Sequence, residues 1–274
     1  MNTEQIFNLA LKAAGLEEAP ADSGVIVPGQ KIKKIAFGID IDTAEIMLAK
    51  QLGFDCVITH HPHSVHKVEL YKVMDNQIDR MVEAGVPINK AQKAIAERKE
   101  QVDRNMHVTN YDKAANAAKL LNMPFIAIHS PADFLVEDYL QQYLDDKLGD
   151  KPQALVKDVL DYLLEIPEYK NSCAGPKVRV GSEKSYAGKV FVIMAGGTGG
   201  GNDVMKAYFE AGVGTLVVMH VPDDVVKAIK EQNIGNIIVA GHMASDSIGI
   251  NLVIKAFEEK NLEVLRMSGV IETC

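Results

Sequence analysis

The sequence predicts an α/β protein: two related α/β halves with mixed sheets around a metal cleft, plus a helical insertion. Short runs rich in Val and Ile alternate with stretches whose apolar residues recur at helical spacing, as in βαβ units. The order strand, turn, helix, glycine, strand, histidine occurs twice, in residues 34–60 and 190–220. Because ligands bind at the carboxyl ends of parallel strands, we expect the two halves to point strand-end histidines into one cleft.

Changes in composition divide the chain into three stretches. We assign residues 1–131 to an N-terminal α/β half, 132–176 to a helical insertion and 177–274 to a C-terminal α/β half. The insertion is polar and helix-forming, and Pro167 and the turn-forming residues 171–176 mark its end. We expect the two halves to form one compact unit.

The N-terminal half begins with an amphipathic helix and continues with a βαβ unit. Asp42 and Thr43 open the helix of this unit, and Gly53 ends it. Residues 92–104 are strongly charged, which is typical of a solvated helix face. The expected helices are 3–14, 42–52, 71–83, 92–104 and 111–121, and the expected strands are 34–39, 55–59 and 125–129.

The remaining chain contains the insertion and a second series of alternating strands and helices. Gly149 and Pro152 separate the two helices that we expect in the insertion, 133–147 and 153–165. In the C-terminal half the expected strands are 190–195, 215–219, 236–240 and 264–267, and the expected helices are 202–211, 223–231 and 246–260.

Composition limits the location and the partners. The chain has 274 residues, 47% of them hydrophobic, and its net charge of −8 disfavours a nucleic-acid-binding surface. Cys56, Cys173 and Cys274 show neither metal-binding nor disulfide spacing, which is typical of a reducing cytosol. No apolar run approaches the roughly 20 residues that span a bilayer. The N-terminus lacks the pattern of a signal peptide, so we expect a cytoplasmic protein without a membrane partner.

The strongest functional signal is a pair of adjacent histidines at the end of a buried strand. Residues 55–59 are an apolar run behind a glycine, and His60 and His61 follow it directly before Pro62. Imidazole is the commonest protein ligand for divalent transition metals. Two loop histidines without a task remain the alternative interpretation.

A second strand delivers His242 to its end, and Asp246 follows four residues later. We expect Ser245 to cap a helix that starts at Asp246. An acid in a first helical turn is also favoured by the helix dipole, so Asp246 is either a metal ligand or a capping residue. The histidine and the acid together favour a metal site.

Four further positions are candidates for the site or its surroundings. Asp112 lies at the start of the helix 111–121, where capping also explains an acid. His107 is a candidate ligand, a residue that supports a ligand, or a polar loop residue, and the last two are favoured. His63 follows the histidine pair closely enough to line the site. His220 ends an apolar strand, as His129 does, and each either reaches the site or satisfies local backbone groups.

The glycine run 196–201 lies between a strand and a helix, where phosphates are often bound. It matches neither the phosphate-loop signature nor GxGxxG in register. Gly197 and Gly199 are therefore candidates either for a tight turn beside the metal cleft or for an anion site.

Three strings together resemble the Ngg-interacting-factor-three-like family, also called GTP cyclohydrolase I type 2-like. They are residues 58–62 with the His-His-Pro motif, residues 109–112 and residues 241–246. The sequence departs from the family pattern at Asp246, where the family usually has Glu, and at Val108, which separates His107 from Thr109.

The resemblance implies a pair of divalent metal ions between two related halves, and assembly into homohexameric rings. Transferred residue by residue, it implies the metal ligands His60, His61, Asp112, His242 and Asp246. Zinc, iron and manganese all suit this mixture of imidazole and carboxylate ligands.

Two functions follow from these expectations. The first is a di-metal-dependent hydrolase that acts on a phosphate-bearing or nucleotide-like small molecule, with GTP ring opening as one form of such chemistry. The alternative is a non-catalytic metal-holding or partner-docking ring protein. An open metal position beside a substrate-sized pocket would favour the enzyme, and a closed site would favour the holding protein.

Overall fold

The computed structural model describes residues 1–149 and 151–273, and its strands form two sheets. The strands are β1 (Gly24–Val27), β2 (Lys34–Gly38), β3 (Cys56–Thr59), β4 (Phe125–Ala127), β5 (Lys177–Val180), β6 (Lys189–Ile193), β7 (Val213–Val218), β8 (Asn236–Val239) and β9 (Glu263–Met267).

The two sheets repeat one topology. The first has the order β1-β4-β3-β2-β9 and the second the order β5-β8-β7-β6. In each, the first strand is antiparallel to its neighbour, and the other strands are parallel to one another. The mixed α/β architecture predicted from the sequence is therefore confirmed, and the weak pattern repeat corresponds to a repeat of strand order.

Helices connect the strands and cover both sheets. They are α1 (Thr3–Ala13), α2 (Thr43–Gln51), α3 (Ser64–Val68), α4 (Leu70–Val73), α5 (Asn76–Ala84), α6 (Ile88–His107), α7 (Lys113–Leu120), α8 (Ser130–Leu148), α9 (Val156–Leu163), α10 (Pro167–Asn171), α11 (Asn202–Glu210), α12 (Asp223–Gln232) and α13 (His242–Glu258).

Helices α8 and α13 lie between the sheets and join them. Ile250 and Phe257 of α13 pack with Phe37 and Ile58 of the first sheet. Nearer their other ends, both helices pack against the second sheet through residues that include Val136, Leu140, Ala244, Ile248, Val192, Val217 and Ile238.

The two central helices cross so closely that a glycine is required at the contact. A Cβ on Gly249 of α13 would lie 2.2 Å from the carbonyl oxygen of Ala132 in α8. Because close-packed backbone cannot yield to an added methyl group without strain, Gly249 sets the separation of these helices. Helices α2 and α7 cover the outer face of the first sheet. Helices α5, α6, α11 and α12 cover the outer face of the second.

The expected division of the chain differs from the arrangement of the sheets. Strand β9 belongs to the stretch 177–274, yet it pairs with β2 and extends the first sheet. Helix α8 was expected within a peripheral insertion, whereas it begins at Ser130 and lies between the sheets. Strands β2 and β9 are more than two hundred residues apart in the chain, and local patterns do not reveal such a pairing.

Helix α13 also starts earlier than the sequence suggested. Gly241 is its N-cap, and Ser245, the expected cap, instead donates from its hydroxyl to the Gly241 carbonyl at 2.7 Å. His242 and Asp246 are therefore one helical turn apart on the same face of α13. Among the described residues, no helix has the length and apolar character needed to cross a membrane.

Candidate metal centre

Six side chains converge between the two sheets. His60 and His61 follow β3, and His129 precedes α8. Asp133 lies in the first turns of α8, as His242 and Asp246 do in α13. Their nitrogen and oxygen atoms form three overlapping groups in which all ligand atoms lie within 4.8 Å of one another: His60, His61 and His129; His61, His242 and Asp246; and His60, Asp133 and Asp246.

His60 is the most buried of the histidines, and its tautomer is defined by its surroundings. Its Nδ1 lies 3.1 Å from the carbonyl oxygen of Ile128, which can only accept a hydrogen bond. Nδ1 therefore carries the proton, and Nε2 has a free lone pair. Nε2 is buried and has no hydrogen-bond partner among the described residues, so it is free to coordinate an ion.

His61 and His129 are each oriented by a carboxylate. His61 Nδ1 lies 2.7 Å from Asp40 Oδ1, and His129 Nδ1 lies 2.7 Å from Asp22 Oδ2. Asp22 is completely buried, and Ser130 also donates to it at 2.7 Å. Burial opposes ionisation of Asp22, but the charge and hydrogen bond of His129, together with hydrogen bonds from Ser130 and Ser23, outweigh this effect and lower the pKa of the carboxyl. A carboxylate on Nδ1 fixes the ring and directs Nε2 toward the centre, which is the usual support of a metal-binding histidine.

Asp246 lies at the middle of the cluster. Its Oδ1 is 3.6 Å from His60 Nε2, and its Oδ2 is 3.6 Å from both His61 Nε2 and His242 Nε2. Neither oxygen has a hydrogen-bond partner among the described residues, although the side chain is only 1% exposed. Burial opposes ionisation of Asp246, but the neighbouring His60, His242 and His61 lower its pKa, and a bound cation would compensate the desolvation in the same way.

Asp133 completes the cluster on the side of the first sheet. Its Oδ1 lies 3.5 Å from His60 Nε2, and its Oδ2 lies 3.8 Å from His129 Nε2. Burial raises the pKa of Asp133 well above its ordinary value, and the nearby Asp246 carboxylate adds to this rise. A positive ion beside both carboxylates would reverse that effect.

The geometry and donor set fit divalent metal ions. The separations of 3.5–3.8 Å between nitrogen and oxygen atoms exceed a normal hydrogen bond. Two ligands of one tetrahedral ion, each about 2.1 Å from it, lie roughly 3.4 Å apart. Imidazole and carboxylate are suitable ligands for zinc, iron and manganese. The six side chains can therefore hold a metal, and the arrangement has room for more than one overlapping set of ligands.

Exposure differs across the cluster. His60 is 1% exposed and Asp133 5%, whereas His61 is 28% and His242 46% exposed. Burial lowers the pKa of His242 to about 4, so its ring is neutral near pH 7 and able to coordinate. A cavity of about 40 Å³ lies beside the cluster, lined by residues that include His129, Asp133, His242, His220, Gly197 and Gly199. The centre is closed on the His60 side and open on the His242 side.

The structure brings His60, His61, His242 and Asp246 of the expected ligands into one cluster. Asp112, the fifth expected ligand, belongs to none of the groups found among the described residues. It is the N-cap residue of α7, which packs on the outer face of the first sheet. One of its carboxylate oxygens is buried there without a hydrogen-bond partner in the described chain.

The residues expected to surround the ligands lie at different distances from the cluster. The His220 ring is 4.9 Å from the His242 ring, centre to centre, and Gly197 and Gly199 line the cavity. His63 precedes α3 and its ring is 5.8 Å from that of Phe125. His107 is an exposed residue at the end of α6.

Sequence reasoning did not identify Asp133, and it left His129 undecided. A signal was present, because His129 and Asp133 repeat the spacing of His242 and Asp246 directly after a buried strand. Strands β4 and β8, which precede these pairs, occupy equivalent places in the two sheets. The boundary placed at residue 131 separated His129 from Asp133 and obscured the repeat.

Comparisons with known proteins agree with this architecture. Residues 2–88 match the family described as Duf34/NIF3 (NGG1p interacting factor 3). The crystal structure of a NIF3 superfamily protein from Sphaerobacter thermophilus is 35% identical in sequence, with 98% of each chain covered and a TM-score of 0.94. No curated protein matches the chain.

More distant structures share the fold. Reduced HcgD from Methanocaldococcus jannaschii is 16% identical over 97% of each chain, with a TM-score of 0.63. A Bacillus cereus protein related to NIF3 is 13% identical, covering 100% of this chain and 98% of its own, with a TM-score of 0.58. At these identities the likeness concerns the fold alone. From the likeness to the Sphaerobacter protein over nearly its whole length, we conclude that this chain belongs to the NIF3 superfamily.

Proposed function

We propose that the protein is a di-metal-dependent hydrolase acting on a phosphate-bearing or nucleotide-like small molecule. One observation carries the proposal: buried, unpartnered ligand atoms of His60, His61 and Asp246 converge beside an open cavity. Zinc, iron and manganese remain the candidate metals, since the same ligands suit all three.

The ligands divide into an inner and an outer set. The inner set comprises His60, His129, Asp133 and one oxygen of Asp246, all of which are buried. The outer set comprises His61, His242 and the other oxygen of Asp246. Three protein ligands and an open side are the arrangement of catalytic sites, whereas four buried ligands are that of structural sites. We therefore place hydrolysis at the outer set.

Each residue contributes to the reaction through position and charge. Divalent ions bound here would lower the pKa of a water molecule and stabilise charge that develops on a phosphoryl group. Asp246 links the two sets through its separate oxygens. Asp40 holds His61, and Asp22 holds His129, so that the coordinating nitrogens do not have to reorganise. His220, beside His242 on the open side, is placed to contact the substrate.

Metal analysis combined with a substrate screen tests the proposal. We expect two transition-metal ions per chain, and hydrolysis of phosphomonoesters or nucleotides, GTP included. The double variant His60→Ala/His61→Ala should lose both metal and turnover. His107→Ala, which removes an exposed histidine outside the cluster, should retain both. Full metal retention in the double variant, or no turnover of any phosphoester by metal-loaded protein, would contradict the proposal.

A non-catalytic metal-holding protein is the second candidate, and the complete burial of the inner set favours it. Assembly into a homo-oligomer, with a hexameric ring as the specific expectation, suits either function. Adjacent helices α2 and α7 expose Met47, Leu48, Leu52 and Leu120, and such a group of apolar side chains is typical of a subunit contact. Light scattering on the purified chain measures the assembly, and a monomeric mass would rule the ring out.

A further inference from the structure

A cleft of about 620 Å³ adjoins the metal centre on its open side. Its walls are one face of α6, the glycine run with the start of α11, and the start of α12. His220 and Gly199 line both this cleft and the small cavity beside the metal ligands, so the two spaces adjoin. A cleft of this size suits a small molecule, whose reacting group would enter the small cavity.

Arg98 is the half-buried positive charge of this cleft. Its Nε donates to the carbonyl oxygen of Gly199 at 3.2 Å, and its Nη1 donates to Gln101 at 2.6 Å. Among the described residues no carboxylate forms a salt bridge with it, and its Nη2 has no hydrogen-bond partner. An arginine without a carboxylate partner keeps its positive charge uncompensated, and the Nη2 donors of Arg98 remain free to bind an oxyanion.

The glycine run supplies further hydrogen-bond donors to the same cleft. Gln77, which is buried, donates to the carbonyl oxygens of Gly196 and Thr198 at 2.8 and 2.6 Å, and Arg98 occupies that of Gly199. The carbonyl groups are thus engaged by side chains of α5 and α6. The N–H groups of residues 199–201 donate to no acceptor within the described part of the chain. Gly196, Gly197 and Gly201 have positive φ angles, and unpartnered N–H groups in such turns are suited to donate to an anion.

The mouth of the cleft carries the opposite charge. Glu97, Asp203 and Asp224 line it and are exposed, and they outnumber the exposed Arg104, whereas Arg98 is half-buried. The excess of acidic groups repels long polyanions such as nucleic acids more strongly than a small phosphate-bearing molecule.

We propose that this cleft binds a phosphate group of the substrate, with the Arg98 guanidinium and the amides of residues 199–201 as its ligands. This phosphate is not the group that reacts, because the metal ligands lie beyond His220 in the adjoining cavity. The inference rests on the proposed function in that the substrate spans both spaces. It names the substrate class as a small molecule with a phosphate separated from the bond that is cleaved.

The test is calorimetric titration of the full chain with inorganic phosphate, in metal-loaded and in metal-stripped form. Arg98→Gln should weaken phosphate binding about 10- to 100-fold, as expected for loss of a charge-assisted hydrogen bond. Arg98→Lys should give an intermediate loss, because the charge remains and the planar fork does not. Metal content should equal that of the wild type in both variants.

Lys93→Gln is the matched control. Lys93 lies on the same helix and its removal changes net charge equally, but its side chain is exposed and does not line the cleft. Its effect should be less than about threefold. Equal losses in the Arg98→Gln and Lys93→Gln variants would show a general charge effect and overturn the inference. Phosphate binding that disappears in His242→Ala but persists in Arg98→Gln would show that phosphate binds to the metals. This result would also overturn the inference.

The two proposals fail separately in this experiment. Metal-free wild-type protein that still binds phosphate through Arg98 supports the cleft even if no metal is retained after reconstitution. Wild-type protein that holds two metals and shows no phosphate binding at millimolar concentration overturns the cleft alone.

Discussion

The two halves of the molecule share a strand order but contribute unequally to the metal centre. In each, the strand next to the antiparallel edge strand is followed by a histidine and, four residues later, an aspartate. These pairs are His129 with Asp133 and His242 with Asp246. The first half adds His60 and His61, which follow β3. The equivalent strand of the second half, β7, is followed by the single histidine His220, which belongs to none of the ligand groups among the described residues.

The halves also differ in how firmly they hold their ligands. The first-half histidines have their Nδ1 atoms bonded to the Ile128 carbonyl, Asp40 and Asp22. His242 has no such hydrogen bond among the described residues, and it is the most exposed of the ligands. The first half therefore holds its histidines in fixed orientations, whereas the second half leaves His242 at the open side of the cluster, toward the cavity and the cleft.

Asp246→Asn is expected to have the largest effect, because Asp246 is the ligand that both sets share. The amide keeps the shape of the side chain but removes the negative charge. Its nitrogen also cannot coordinate. Elemental analysis should show loss of both ions, with affinity reduced by more than the 10- to 100-fold typical of a supporting residue. Asp112→Asn is the control and should keep two ions; metal loss in that variant would restore Asp112 as a ligand.

Asp22→Asn tests the holding side. Loss of the buried carboxylate should free the His129 ring to adopt the wrong tautomer. The affinity for one of the two metal ions should then fall by about 10- to 100-fold. Asp40→Asn should have a smaller effect, since Asp40 is 79% exposed and water can replace its hydrogen bond to His61. Competition with a chelator that reports free metal would measure the metal affinity of both variants. Equal effects of the two variants would mean that burial does not distinguish the supports.

Gly249→Ala tests the crossing of α8 and α13 on which the alignment of the two aspartates depends. The added methyl group meets the Ala132 carbonyl, so we expect a loss of about 1–3 kcal/mol in the free energy of unfolding. Urea denaturation followed by circular dichroism measures it. Lys255→Ala, on the exposed face of the same helix, should change stability by less than about 0.5 kcal/mol. An unchanged or increased stability of Gly249→Ala would show that the helices can separate freely.

His220→Ala should have the smallest effect on metal binding. Its ring neighbours His242 but belongs to none of the ligand groups among the described residues. Metal content should therefore stay at the wild-type level, while turnover falls if His220 contacts the substrate. Loss of one ion in the His220→Ala variant would instead identify His220 as a ligand. Strands β3 and β7, which are equivalent in the two sheets, would then each be followed by a histidine ligand.

Much of the local structure could be predicted from the sequence. The strand that delivers His60 and His61, the cap of α2 at Asp42 and most of the helices in both halves follow from residue spacing alone. The edge strands β1 and β5 were not expected, because each lies directly between turn-forming residues. The place of Asp133 in the cluster was not predicted either, since an acid in a first helical turn is equally explained by the helix dipole.

The sequence by itself determined the alternation of strands and helices and the histidines at strand ends, because both depend on neighbours a few residues away. Only the tertiary structure decided which acids join them. In the folded chain β9 pairs with β2 in the first sheet, and α8 and α13 are in contact between the sheets. The separation of ligands along the chain runs from residue 60 to residue 246. Their convergence is therefore a property of packing and strand order, which no local pattern encodes.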